Sequence, residues 1–236
     1  MSADVLIADP PYSSHVHANL GKEDRGGDDA DGVATRKALT FDSITDEEAA
    51  EVMVAAARGV RRWVLVFCNE LAISLWVNAG LAAGLRYVRV GVWVKSDAMP
   101  QMSGDRPSAG TESIVIMHVP VKGRMQWNGG GRKAVWTGPA QERDVRRVHP
   151  CQKPLWLLEA LVRDFSNTGE TIWDPYMGSG TTGAAARRNG RDFIGHERDA
   201  ATFRKAETRI LATREQLGLF HGADVVPIST AKVVGR

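Results

Sequence analysis

Apolar and polar positions along this chain switch between two periods. Val5-Leu6-Ile7-Ala8 is an unbroken apolar run of strand length, the pattern of a strand buried on both faces. Residues 13–40 break it: polar and rich in Gly and Asp, they predict a mobile loop. Thr45-Asp46-Glu47-Glu48 is a capping box, opening a helix with Val52, Met53, Ala56 and Val60 at helical spacing. Arg62 to Cys68 reads as a strand and Glu70 to Gly80 as a helix. Tyr87 to Val94 and Ser113 to Val119 read as strands on either side of a Pro/Gly-rich 97–111 loop. A helix from Pro154 to Phe165, a strand at Glu170-Thr171-Ile172, a glycine-rich turn and a helix-like Ala184 to Arg188 follow. A strand from Asp192 to His196 and a last helix from about Asp199 to Gln216 complete an α/β alternation. Residues 221–236 read as a loosely attached tail.

At 236 residues and 43% hydrophobic, the chain can bury a full core and reads as one domain over 1–220. No apolar run is long enough to span a bilayer, and there is no signal-peptide pattern. Cys68 and Cys151 are too few for a disulfide framework, so a reducing cytoplasm is expected. Neither a membrane nor a metal is expected as a partner.

Two turns carry candidate chemistry. Asp9-Pro10-Pro11-Tyr12 follows the first strand, where open α/β sheets place their ligands. The prolines fix φ and lack N–H groups, so a carboxylate and a carbonyl stand as rigid acceptors beside an aromatic face. That suits the exocyclic amine of a flat base. The second turn is Trp173-Asp174-Pro175-Tyr176-Met177-Gly178-Ser179-Gly180-Thr181-Thr182-Gly183, between a strand and a helix. Its glycines let a ligand approach the backbone, yet the Lys-Ser/Thr ending of a phosphate loop is absent. Glu197 ends the next strand, about 20 residues on, placed to accept from ribose hydroxyls. A ribose-bearing cofactor without a phosphate loop points to S-adenosylmethionine.

With these motifs the chain resembles the β-class DNA amino-methyltransferases, in which Asp-Pro-Pro-Tyr precedes the glycine motif. His149-Pro150-Cys151-Gln152-Lys153-Pro154 resembles a further segment of that family, and Phe193-Ile194-Gly195-His196-Glu197 its ribose-binding run, with His196 in a place usually apolar. The resemblance implies a Rossmann-like methyltransferase fold, with a mixed, mostly parallel central sheet flanked by helices. It implies Asp9, Pro10, Pro11 and Tyr12 as catalytic residues, Tyr12 stacking on a flipped base. Asp9, Asp174, Tyr176, Gly178, Ser179, Gly180, Thr181, Thr182 and Glu197 are expected at the cofactor, with Lys153 as partner of its carboxylate. Trp93-Val94-Lys95 and Glu112 also resemble common family positions, without an evident chemical role. In the family, Asp at the first motif position goes with adenine N6. Cytosine N4 presents the same two donors and is the near alternative, and RNA or protein acceptors, or a silent DNA-binding module, are more distant ones.

Charge completes the picture. Residues 1–51 carry 12 acids and four bases, so they are −8 and the remainder +10. Residues 122–147 carry Lys122, Arg124, Arg132, Lys133, Arg143, Arg146 and Arg147 against Glu142 and Asp144, interleaved with Trp127 and Trp136. Bases among aromatics suit a DNA backbone and unstacked bases, so Lys122, Arg124, Arg132, Lys133, Arg146 and Arg147 are expected to bind duplex DNA, within contacting loops at 97–111 and 120–147. Family members usually devote a larger segment to reading sequence. A short or relaxed site, or recognition shared across a homodimer, is therefore expected.

Overall fold

The computed structural model describes residues 2–11, 44–141 and 152–221. Seven strands form one sheet: β1 (Ala3–Ala8), β2 (Val60–Cys68), β3 (Arg86–Lys95), β4 (Thr111–His118), β5 (Val135–Gly138), β6 (Thr171–Asp174) and β7 (Asp192–Gly195), in the order β5-β3-β4-β2-β1-β6-β7. Six run the same way, and β4 runs against both its neighbours. The expected mixed, mostly parallel sheet is therefore present.

β1 is the central strand, and all six of its residues are buried. Val5 and Ile7 face one side of the sheet, against Leu157, Leu161 and Phe165 of helix α3 (Leu155–Phe165) and Ala185 and Ala186 of α4 (Thr181–Arg188). Ile210 of α5 (Ala200–His221) joins the same layer. Leu6 and Ala8 face the other side, against Met53 and Ala56 of α1 (Asp46–Gly59) and Trp76 of α2 (Ile73–Ala82). Period-two alternation thus feeds two apolar cores, and the unbroken run at 5–8 is the cost of burying both faces.

The capping box forms as expected: Thr45 N–H donates to Glu48 Oε2 at 2.9 Å and Glu48 N–H to Thr45 Oγ1 at 3.1 Å. Val60, read as a helix position, is instead the first residue of β2, because α1 ends at Gly59. α5 runs past the expected Gln216. No helix among the described residues is long and apolar enough to cross a membrane.

From β1 the chain moves one way to β2; from β6 it moves the other way to β7. The carboxyl ends of β1 and β6 therefore flank a topological switch point, where such sheets open a crevice. Asp9 and Asp174 stand on its two sides. β4 runs antiparallel, so its first residues, Thr111 and Glu112, come to this same end.

Candidate active site

Asp9 follows β1 and keeps 32% of its side chain exposed, a carboxylate at the mouth of the crevice. Lys153 Nζ lies 2.7 Å from its Oδ1 and 2.8 Å from Glu112 Oε1. Glu112 Oε2 lies 3.3 Å from Lys95 Nζ, and that ammonium stands 4.9 Å over the Trp93 ring. Charges thus alternate from Asp9 through Lys153 and Glu112 to Lys95. Burial pushes the Asp9 carboxyl above its ordinary value and the Lys153 ammonium pulls it back. Glu112 is buried too, which acts to raise it, but the two lysines outweigh burial and hold it below the usual carboxylate range. Lys153, expected at a cofactor carboxylate, here stands between two protein carboxylates.

Pro10 and Pro11 line an apolar pocket with Phe67, Cys68, Asn69 and Trp76. Burial pushes the Cys68 thiol up to about 12, so it is an inert wall. Tyr12 lies outside the described residues.

Across the switch point, β6 delivers the glycine turn. Asp174 is buried and accepts from Tyr176 N–H at 2.9 Å. Burial pushes it up to about 7, against hydrogen bonds from Thr182 and the Tyr176 amide. Gly178 and Gly180 have φ of +48° and +77°, the region glycine occupies without strain. They differ in surroundings: a Cβ on Gly180 would meet Ala206 and Ile210 at 3.1 Å, whereas one on Gly178 would meet nothing nearer than the Tyr176 carbonyl at 3.9 Å. Gly180 packs the turn onto α5, and Gly178 leaves its outer edge open to a ligand.

Ser179, Thr181 and Thr182 are buried, with hydroxyls turned inward. Ser179 Oγ and Thr181 Oγ1 are 3.1 Å apart, and Arg209 Nη1 of α5 donates to Thr181 Oγ1 at 2.9 Å and to the Ser179 carbonyl at 3.2 Å. These residues shape the turn from behind. Arg209 escaped the sequence reading, because only the tertiary contact of α5 gives it a partner. Glu197 follows β7 and accepts from the Asp199 amide at 2.9 Å, which orients its carboxylate at the crevice rim. His196 Nδ1 accepts from Trp173 Nε1 at 3.0 Å, a polar pairing in the place expected to be apolar.

A family profile described as DNA methylase matches residues 3–208. The chain belongs to this DNA methylase family. Type II methyltransferase M2.DpnII of Streptococcus pneumoniae is 29% identical over 240 residues, covering 91% of this chain and 84% of that protein. M2.LlaDCHI of Lactococcus lactis subsp. cremoris is 27% identical over 234 residues, covering 89% and 82%. Among solved structures, a complex of M1.HpyAVI with SAM superposes with a TM-score of 0.65 at 22% identity, covering 89% of each chain. The chain is thus an S-adenosylmethionine-dependent DNA methyltransferase of Rossmann-like fold. The residues fit that donor: an open backbone edge at Gly178 and a carboxylate at Glu197.

Of the bases expected at DNA, the described ones, Lys122, Arg124, Arg132 and Lys133, stand away from the Asp9 carboxylate. β4 ends at His118 on the opposite end of the sheet, and Lys122 and Arg124 follow it there, exposed. The neighbouring Gln126 carbonyl accepts from Trp63 Nε1 at 2.7 Å, at the start of β2, and Asn128 Nδ2 donates to the Ser166 carbonyl at 2.8 Å, just beyond α3. Arg132 is ion-paired with Asp164 of α3. Lys133 is exposed beside the point where the chain joins β3 at Val92. Trp136, expected to meet bases, is buried in the short strand β5 and donates to Asp164 Oδ2 at 3.0 Å, and Trp127 packs against the same core. Arg146 and Arg147 lie outside the described residues. Among the described residues, the 96–110 loop and residues 138–141 reach the Asp9 end, tied together where Asp97 accepts from the Ala140 and Gln141 amides at 2.6 and 3.0 Å. That loop holds Met99 and Met102 in solvent.

Proposed function

We propose that this DNA methylase modifies the N6 amine of an adenine swung out of the duplex, with Asp9 and the Pro10 carbonyl accepting its two N–H groups. The observation that carries the reading is the meeting, at one switch point, of the Asp9-Pro10-Pro11 acceptors with the open edge of the Gly178 turn. Duplex pairing occupies N6, so the base must leave the stack. Pro10 and Pro11, backed by Phe67 and Trp76, give the Asp9 side an apolar wall for a flat ring, and Tyr12 is assigned the stacking face.

The N6 lone pair is delocalised into the ring and is a poor nucleophile. Two N–H bonds directed at fixed acceptors favour a pyramidal nitrogen with a localised lone pair. S-adenosylmethionine supplies an electrophilic sulfonium methyl. Bound there, it would offer that methyl to the N6 lone pair, and the Asp9 carboxylate would take up the N–H proton released by the transfer and pass it to water. The protein's contribution is positioning and preorganised charge. Glu197 is assigned the ribose, Gly178 the backbone approach, and Asp174 the support of Tyr176 at the turn. On the DNA side, the 96–110 loop and residues 138–141 lie at the reacting end. Their brevity supports a short recognition site or recognition divided between two copies of the chain.

Label transfer from S-adenosylmethionine to unmethylated duplex DNA, followed by nucleoside analysis, tests the reading. N6-methyladenine is expected. N4-methylcytosine would keep the acceptor geometry and overturn the choice of base.

A further inference from the structure

We propose that Lys153 and Glu112 are positioning residues for Asp9, Lys153 by occupying Oδ1 so that Oδ2 is left to meet the base amine, and Glu112 by fixing Lys153 from the far side. The proposal rests on the reading of Asp9 as acceptor of that amine.

A free carboxylate presents two equivalent oxygens and turns readily. A fixed hydrogen bond to the amine needs one oxygen aimed, because small misplacements at a reacting centre are costly in rate. Asp9 is on a loop and partly exposed, so its own packing does not aim it. Lys153 does: its side chain is only 12% exposed, and its ammonium lies 2.7 Å from Oδ1 and 5.1 Å over the Phe67 ring. Four methylenes alone would leave that ammonium mobile. Glu112 removes the freedom, at 2.8 Å through Oε1, from a buried place at the start of β4. Glu112 is in turn held by Lys95 at the end of β3, across the Trp93–Glu112 pair of the ladder. Buried charges in such a chain are costly to leave unpaired, so the arrangement resists rotation of any single member.

The same chain sets the charge state. The charged groups acting on Asp9 are Lys153 and Lys95, which favour its ionised form, and Glu112, which opposes it, while Asp9 in turn raises the buried Asp174. Removing Lys153 therefore moves the titration of Asp9 upward, while removing the Glu112 charge moves it downward. A merely structural pair would not shift the two variants in opposite directions.

The test uses the full chain and compares the parent with Lys153→Met, Lys153→Arg and Glu112→Gln, all checked by thermal melts. Calorimetry gives the S-adenosylmethionine Kd, and label transfer to unmethylated genomic DNA gives kcat against pH. The expected result is a kcat lowered about 100-fold in Lys153→Met and about tenfold in Glu112→Gln. Cofactor Kd stays within about threefold, since neither variant touches the Gly178 edge or Glu197. The acidic limb of kcat moves to higher pH in Lys153→Met and to lower pH in Glu112→Gln, and Lys153→Arg recovers part of the rate. If Lys153→Met does not fold, Lys153→Arg and Glu112→Gln give the same readouts. A raised cofactor Kd with unchanged kcat overturns the proposal and returns Lys153 to the cofactor. A parent that moves no methyl to DNA overturns the functional reading and this proposal with it, whereas an active parent beside unaffected variants overturns the proposal alone.

Discussion

Replacing Asp174 with Asn removes a buried acid without changing its shape. Asp174 is 2% exposed at the end of β6 and faces two further carboxylates, Asp9 and Glu197. Burial raises it from an ordinary 3.8 to about 7. In the unfolded chain the group loses its proton near its ordinary value; in the folded chain it keeps it to near neutrality. Its contribution to stability is therefore full below pH 4 and is lost as pH rises through 7. At about 1.4 kcal/mol per pKa unit the whole loss is roughly 4 kcal/mol, of which roughly 3 falls between pH 5 and 8. Asn keeps an acceptor for the Tyr176 amide and offers an N–H to the Thr182 hydroxyl oxygen, so the local hydrogen bonds survive the change. Thermal melts of parent and Asp174→Asn without cofactor, at pH 5 and pH 8, read this group together with its coupling to Asp9 and Glu197, because the remaining titrations are common to both. The variant's advantage over the parent should grow by an amount on the order of 10 °C between the two pH values. A gap that is the same at both would refute the burial argument.

Three further outcomes follow from the geometry. Gly180→Ala forces a side chain into φ +77° against Ala206 and Ile210, and should cost about 1–2 kcal/mol or more in urea unfolding; a cost below about 0.5 kcal/mol would show that the turn yields. Arg209→Ala removes donors to the Ser179 carbonyl and the Thr181 hydroxyl, and should weaken S-adenosylmethionine binding by about tenfold in calorimetry, as one charged hydrogen bond is worth; an unchanged Kd would show that the turn holds without α5. Lys122→Glu with Arg124→Glu lies at the far end of the sheet and should leave the salt dependence of DNA binding unchanged, whereas two phosphate contacts there would reduce the slope by about two.

The parts of the fold legible in the sequence were those set by local pattern. The apolar run of β1, the capping box at Thr45 and the glycine turn each declare themselves within a dozen residues. Their order along the chain carried the family resemblance, and the sheet follows the expected α/β alternation. What was not legible depended on distant partners. Trp127 and Trp136 sit among basic residues, a pattern that locally resembles a nucleic-acid surface. Yet Trp136 is in the core because Gly91 of β3 leaves room for its ring, where a Cβ would meet it at 2.8 Å, and because Asp164 of α3 accepts its N–H. β5 itself is four residues long, too short for its period to show. Lys153 and Asp9 are 144 residues apart, and Glu112 joins them only because β4 runs antiparallel to its neighbours. The one available signal was a pair of opposite charges, Lys95 and Glu112, at the ends of two strands bracketing one loop.

The most direct measurement is single-turnover methyl transfer to duplex DNA by the parent and by Asp9→Asn, with cofactor affinity measured on the same samples. Asn keeps the size of the side chain and loses the carboxylate that draws on the amine's N–H and takes up its proton. The account predicts cofactor binding within about threefold of the parent and a methyl-transfer rate lowered by at least about 100-fold, the scale of a lost group that acts at the reacting centre. A variant that methylates DNA at the parent's rate would contradict it.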